Sequence, residues 1–118
     1  MTPEQTLTTA AQKLRAAATA DYVQPGPWHI HEAYGFLRVD NDRDKSREAW
    51  TVKSGADLAE ENRNTAEYIA LMHPGVGLAV AALLAEEADS VSQDGGVVQN
   101  STTEAALAIA RAILGEQP

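Results

Sequence analysis

The residues best equipped for chemistry lie between Trp28 and Lys53. His29 and His31 stand in H-x-H spacing, which on a strand puts both imidazoles on one face, where they can share a metal ion. Glu32 and His73 complete such a set only if the fold brings them there. The plainer reading is a solvent-facing pair of histidines. Asp40-Asn-Asp-Arg-Asp44 resembles the opening of a calcium loop. Lys45 stands where that loop needs glycine, and Thr51 where it needs a bidentate glutamate, so that reading fails. A third constellation is a ligand-binding set: Trp28 and Trp50 to stack a ring, with Arg38, Arg43 and Arg47 to meet phosphates. Against it stands an arrangement in which both tryptophans are core and the arginines pair with neighbouring Asp and Glu.

Other chemistries lack their residues. The chain has no cysteine, which excludes disulfides and thiolate metal ligands and leaves the redox compartment open. There is no G-x-S-x-G elbow, no phosphate loop and no dinucleotide fingerprint. Glu60-Glu61 and Glu86-Glu87 are adjacent pairs, which in a helix point about 100° apart and cannot act as a dyad. Gly75 and Gly77 resemble an anion-binding helix start, but no strand precedes them and no lysine follows. The sequence thus predicts no catalytic residue and no cofactor. An enzyme, metal-dependent through His29, His31 and an acid, is the least favoured of three readings.

The elements that must position these residues are legible from periodicity. Thr2, Pro3 and Gln5 form the start of a helix with a capping box, and Leu7, Ala11, Leu14 and Ala18 give it a narrow apolar face. Gln24-Pro-Gly-Pro27 forbids regular structure and turns the chain. The period then changes to two: Trp28 and Ile30 alternate with His29 and His31, and Tyr34-Gly35 turns into a second strand, Phe36–Val39. A mixed-charge loop, Asp40 to Glu48, leads to a third strand, Ala49–Lys53, with Trp50 and Val52 inward. Trp28 is expected to be buried beneath the helices.

The longest apolar run, Asn64 to Leu84, is broken once, at Pro74. This predicts two helices meeting at a corner, with His73 at the cap of the second. Leu58, Asn62, Thr65, Ile69 and Met72 share the first helix's face, with Ala66 and Ala70 beside it. Val76, Val80, Leu83 and Glu87 form the stripe of the second, with Leu84 widening it, and Gly77, Ala81 and Ala88 make a small-residue flank for close packing. After Gln93-Asp-Gly-Gly96, Ser101-Thr-Thr-Glu104 caps a last helix whose inward face is Ala106, Ile109, Ala110 and Ile113, with Gly115 as terminator. The predicted fold is α+β: an N-terminal helix, a three-stranded antiparallel meander, then three helices packed on one sheet face, as a single domain over residues 1–118.

Composition sets the outer bounds. Leu, Ile, Val and Phe total 23 of 118 residues, a thin supply for a core, which predicts completion by self-association as a homo-oligomer. The net charge is −8, and residues 56–118 carry ten acids against two arginines. Such a surface disfavours direct nucleic-acid binding and suits a basic protein partner. No leader and no run of spanning length are evident, so a soluble, cytoplasmic protein without membrane association is expected.

Two stretches in order, Pro25-Gly-Pro-Trp28 after an alanine-rich helix and Asn64-Thr-Ala-Glu-Tyr-Ile-Ala-Leu-Met-His-Pro74, resemble the Ead-like family of small phage accessory proteins and similar actinobacterial phage and prophage proteins. The resemblance spans roughly residues 3–90, with Thr65 where an acidic residue is usual. It brings no catalytic residues. It implies a phage or prophage gene product acting in a bacterial cytoplasm. The leading expectation is therefore a non-enzymatic binding module that engages a host protein or signalling factor, with counter-defence as one use. The alternative is an oligomer sequestering a nucleotide or other small molecule.

Overall fold

Helices begin where capping chemistry is densest. A computed structural model describes residues 1–21, 23–33, 36–41, 50–53 and 59–116. The element order is α1 (Pro3–Ala18), β1 (His29–Ala33), β2 (Phe36–Asp40), β3 (Trp50–Lys53), α2 (Ala59–Leu71), α3 (Pro74–Gln93) and α4 (Ser101–Ile113). This is the expected α+β order of one helix, a meander and three helices. At α1 the Thr2 hydroxyl accepts from the Gln5 N–H at 3.1 Å, and the Gln5 side chain accepts from the Thr2 N–H at 2.9 Å. Pro74 opens α3, and His73 caps it as predicted, its Nδ1 accepting from the Gly75 N–H at 3.1 Å. The chain leaves α3 through Gly95 and Gly96, both at positive φ, with the Gly96 N–H donating to the Val91 carbonyl at 2.8 Å. The cap of α4 is Asn100, one residue before the expected Ser101. Its side chain accepts from the Thr103 N–H at 2.8 Å.

The chain forms two compact units, one of Met1–Thr19 with Gly77–Pro118 and the other of Ala20–Val76. In the first, α1, α3 and α4 share one core of Leu7, Ala10, Ala11, Leu84, Ala88, Val91, Ala106, Leu107 and Ala110. Ala81, Leu84, Ala88 and Val91 alternate steps of three and four, so they form one inward stripe along α3. The small-residue flank expected beside the stripe is thus the stripe itself, while Leu83 is 39% exposed. Small residues face inward because they let the backbones approach. A Cβ on Gly77 would meet Leu14 and Ala18 of α1 at 3.6 Å. The same substitution of roles occurs on α4, where Leu107 is buried and Ile109 is exposed.

In the second unit the sheet order is β1-β2-β3, antiparallel throughout. Ile30 faces Val39, and Val39 faces Trp50, so these three share one face with Leu37. Leu37 and Val39 are buried there, and α2 packs on β1 and β2. Ala66 is the buried centre of α2, with Ile69 and Ala70 half-buried. The expected face through Thr65 and Met72 is rotated: both are exposed. Of the three downstream helices, α2 is the one that belongs with the sheet. The core of α4 and of α3 from Gly77 onward lies with α1.

Candidate functional site

The site is built from the proline-rich segment upward. Gln24 is buried, and its side-chain oxygen accepts from the Asn41 N–H at 3.2 Å, tying the segment to the end of β2. Its carbonyl accepts from the Trp28 indole N–H at 3.1 Å. Gln24 thereby fixes the indole. Trp28 is half-buried rather than a core residue, and it stands just before β1.

Across from it runs α2. Arg63 pairs with Glu32, near the far end of β1, while Glu67, Ala70 and Leu71 lie beside Trp28, His29 and Ile30. These six residues line a cleft of 440 Å³. Glu67, Ala70 and Leu71 are spaced i, i+3, i+4, which is why one face of the helix supplies the whole wall. At the end of α2, Tyr68, Leu71 and Met72 are 67%, 70% and 48% exposed. They too follow i, i+3, i+4 spacing, so they form one apolar patch at the end of α2. Glu67 has no ion-pair partner among the described residues. Arg63, one turn earlier, is held by Glu32.

By alternation the two histidines share the opposite sheet face, although His29 also borders the cleft. His29 faces Asp40 and His31 faces Arg38 across the β1–β2 ladder. The Asp40 carboxylate is buried and accepts from Arg38 Nε at 2.7 Å, and it lies 3.2 Å from His31 Nε2. The pair of imidazoles on one face is as expected. Glu32 belongs to the other face by alternation, and His73 is spent on the α3 cap, so neither joins them. No group of three or more metal-capable side chains occurs among the described residues.

The proposed ring-and-phosphate set is divided in the same way. Trp28 lines the cleft, whereas Arg38 is ion-paired on the other face. Trp50 is half-buried on the third strand, opposite Val39. Arg43 and Arg47 lie outside the described residues. The side chain of Val52, expected inward, is also outside them, as are Leu58 and the Tyr34-Gly35 turn. Gln24, Glu67 and Leu71 were not singled out by the sequence. Glu67 and Leu71 carry a signal only once α2 is phased on Ala66, and Gln24 carries none.

A depression of 500 Å³ lies along Thr2, Glu4, Gln5, Thr8 and Thr9, where Thr2 and Gln5 are already engaged in the cap of α1. No single helix among the described residues is long and apolar enough to cross a membrane. A scan of protein-family models and searches of curated proteins and of solved structures give no match to this chain.

Proposed function

We propose that the chain is a non-enzymatic binding module whose working surface is the end of α2, and that its occupant is a basic partner protein. The observation that carries this is the contiguous exposure of Tyr68, Leu71 and Met72 beside the Trp28 cleft. Large apolar side chains clustered on one helix face remain costly in water until a partner covers them. Charge selects the partner. The one carboxylate lining the cleft is Glu67, and the whole chain carries −8, so a second copy would bring like charge to the same patch. Following the family resemblance, the partner is a host protein met in a bacterial cytoplasm by a phage or prophage product.

Nucleotide sequestration is the weaker reading. The cleft offers Trp28 as a stacking ring, but its charged group is an acid, and Arg38 is held by Asp40. A photo-crosslinking amino acid placed at position 71, with position 97 of the other unit as the control, tests the proposal in the bacterial host. The expected result is one basic protein crosslinked from position 71 alone, whose purified form binds the chain and loses binding with Tyr68→Asp. Crosslinks equal at both positions would refute it, as would a dimer in sedimentation equilibrium that Tyr68→Asp dissolves.

A further inference from the structure

We infer that the Trp28 cleft is a socket for a cationic side chain of the partner, an arginine or lysine whose aliphatic stem lies along its walls. This rests on the binding-module reading and adds the chemistry that the module recognises. Three features converge on it. The walls are apolar where a stem would run, supplied by Ile30, Ala70 and Leu71. Trp28 lines the cleft, and its indole hydrogen is already donated to the Gln24 carbonyl. An anion or a carbonyl would therefore find no indole donor, whereas a cation finds the electron-rich ring face. Glu67 also lines the cleft and has no ion-pair partner among the described residues, while Arg63 is paired with Glu32.

The combination of a ring face, an apolar channel and a single carboxylate discriminates by charge. A guanidinium or ammonium gains from both Trp28 and Glu67. A neutral group of the same shape keeps only the stem contacts. At a partly exposed site each electrostatic contribution is modest, and together they amount to roughly a 3- to 30-fold preference for the cation. The socket would add specificity to the apolar patch of Tyr68, Leu71 and Met72 rather than most of its affinity.

The test is a nitrogen-15 NMR titration of the full chain. The probes are the N-acetyl methylamides of arginine, lysine and citrulline, citrulline being arginine's neutral isostere, together with free agmatine. The expected result is movement of the Trp28 indole signal and the Ile30, Ala70 and Leu71 amides. Half-saturation should come at roughly 3- to 30-fold lower concentration for arginine than for citrulline. Glu67→Gln, a surface change that leaves the circular dichroism spectrum intact, should bring that ratio close to one, and Trp28→Leu should weaken all the amides. Citrulline matching arginine would overturn the inference, as would a ratio untouched by Glu67→Gln, shifts centred on Glu86-Glu87, or no shifts at all. Agmatine binding more tightly than both cationic amides would replace the partner side chain by a free polyamine. Loss of the crosslink with the titration intact refutes the binding-module reading alone. The reverse outcome refutes the socket alone.

Discussion

Gly77→Ala should make this protein more stable, against the usual direction of core substitutions. Glycine inside a helix costs about 0.8–1.0 kcal/mol relative to alanine, because it gives up more backbone freedom on folding. The question is whether a methyl fits. A Cβ at position 77 would lie 3.6 Å from both the Leu14 Cδ1 and the Ala18 Cβ and 3.9 Å from the Leu14 Cγ, all ordinary van der Waals separations. The methyl therefore enters without moving α1 and buries apolar surface worth up to about 0.8 kcal/mol more. Position 77 lies in the first turn of α3, where propensity counts for less, so a net gain of about 1 kcal/mol is expected. For a chain of this length that raises the midpoint of thermal unfolding by about 3–6 °C. Circular dichroism at helix-sensitive wavelengths reads it directly. Gly77→Leu is the counterpart: its branches must displace Leu14, at a cost of about 1–3 kcal/mol. A midpoint for Gly77→Ala at or below that of the parent would show that α1 and α3 do not approach at this spacing, and the small-residue packing argument would fail with it.

Gly26→Ala should do the opposite in the other unit. Its Cβ would fall 2.0 Å from the His73 Nδ1, so the ring must leave the Gly75 N–H that it caps, with a loss of about 1–2 kcal/mol in urea unfolding; an unchanged midpoint would contradict the placement of the ring. Thr103→Val keeps shape and removes the hydroxyl that donates to the Glu87 carboxylate at 2.7 Å, which should cost about 1–2 kcal/mol by the same measurement, while Thr103→Ser should retain more of the stability. Trp28→Ala should cost about 1.5–3 kcal/mol, below the 3–5 kcal/mol of a fully buried ring, because the indole is half-buried and gives up one hydrogen bond. A loss above that range would return Trp28 to the core.

Much of the architecture was readable because local signals carry it. The Thr2-Pro3-Gln5 cap, the break at Pro74 and the Gly95-Gly96 exit each act within a few residues, and each appears at its expected place. The alternation from His29 onward placed β1 and β2 and put both histidines on one face. What alternation cannot supply is the partner across the face. That Asp40 takes His31 and Arg38, or that Glu32 takes Arg63, depends on register and on where α2 lies. The candidate cleft was half legible for the same reason: Trp28 and Ile30 come from the strand pattern, but Glu67 and Leu71 depend on the rotation of α2.

The differences in rotation on α3 and α4 share one physical cause. On α3 and α4 the sequence pattern sets Leu83 and Ile109 inward, which is sound for a core that is filled by volume. Here the helices of the first unit close on glycine and alanine, and three of the nine residues in that core are leucines. Close approach of backbones leaves no room inside for every large side chain. Leu83 and Ile109 therefore face outward, although their hydrophobicity alone favours burial. Scattered singly, as Leu83 and Ile109 are on different helices, such residues need no explanation. Tyr68, Leu71 and Met72 are instead gathered at i, i+3, i+4 spacing at the end of α2, and the proposed binding surface rests on that clustering.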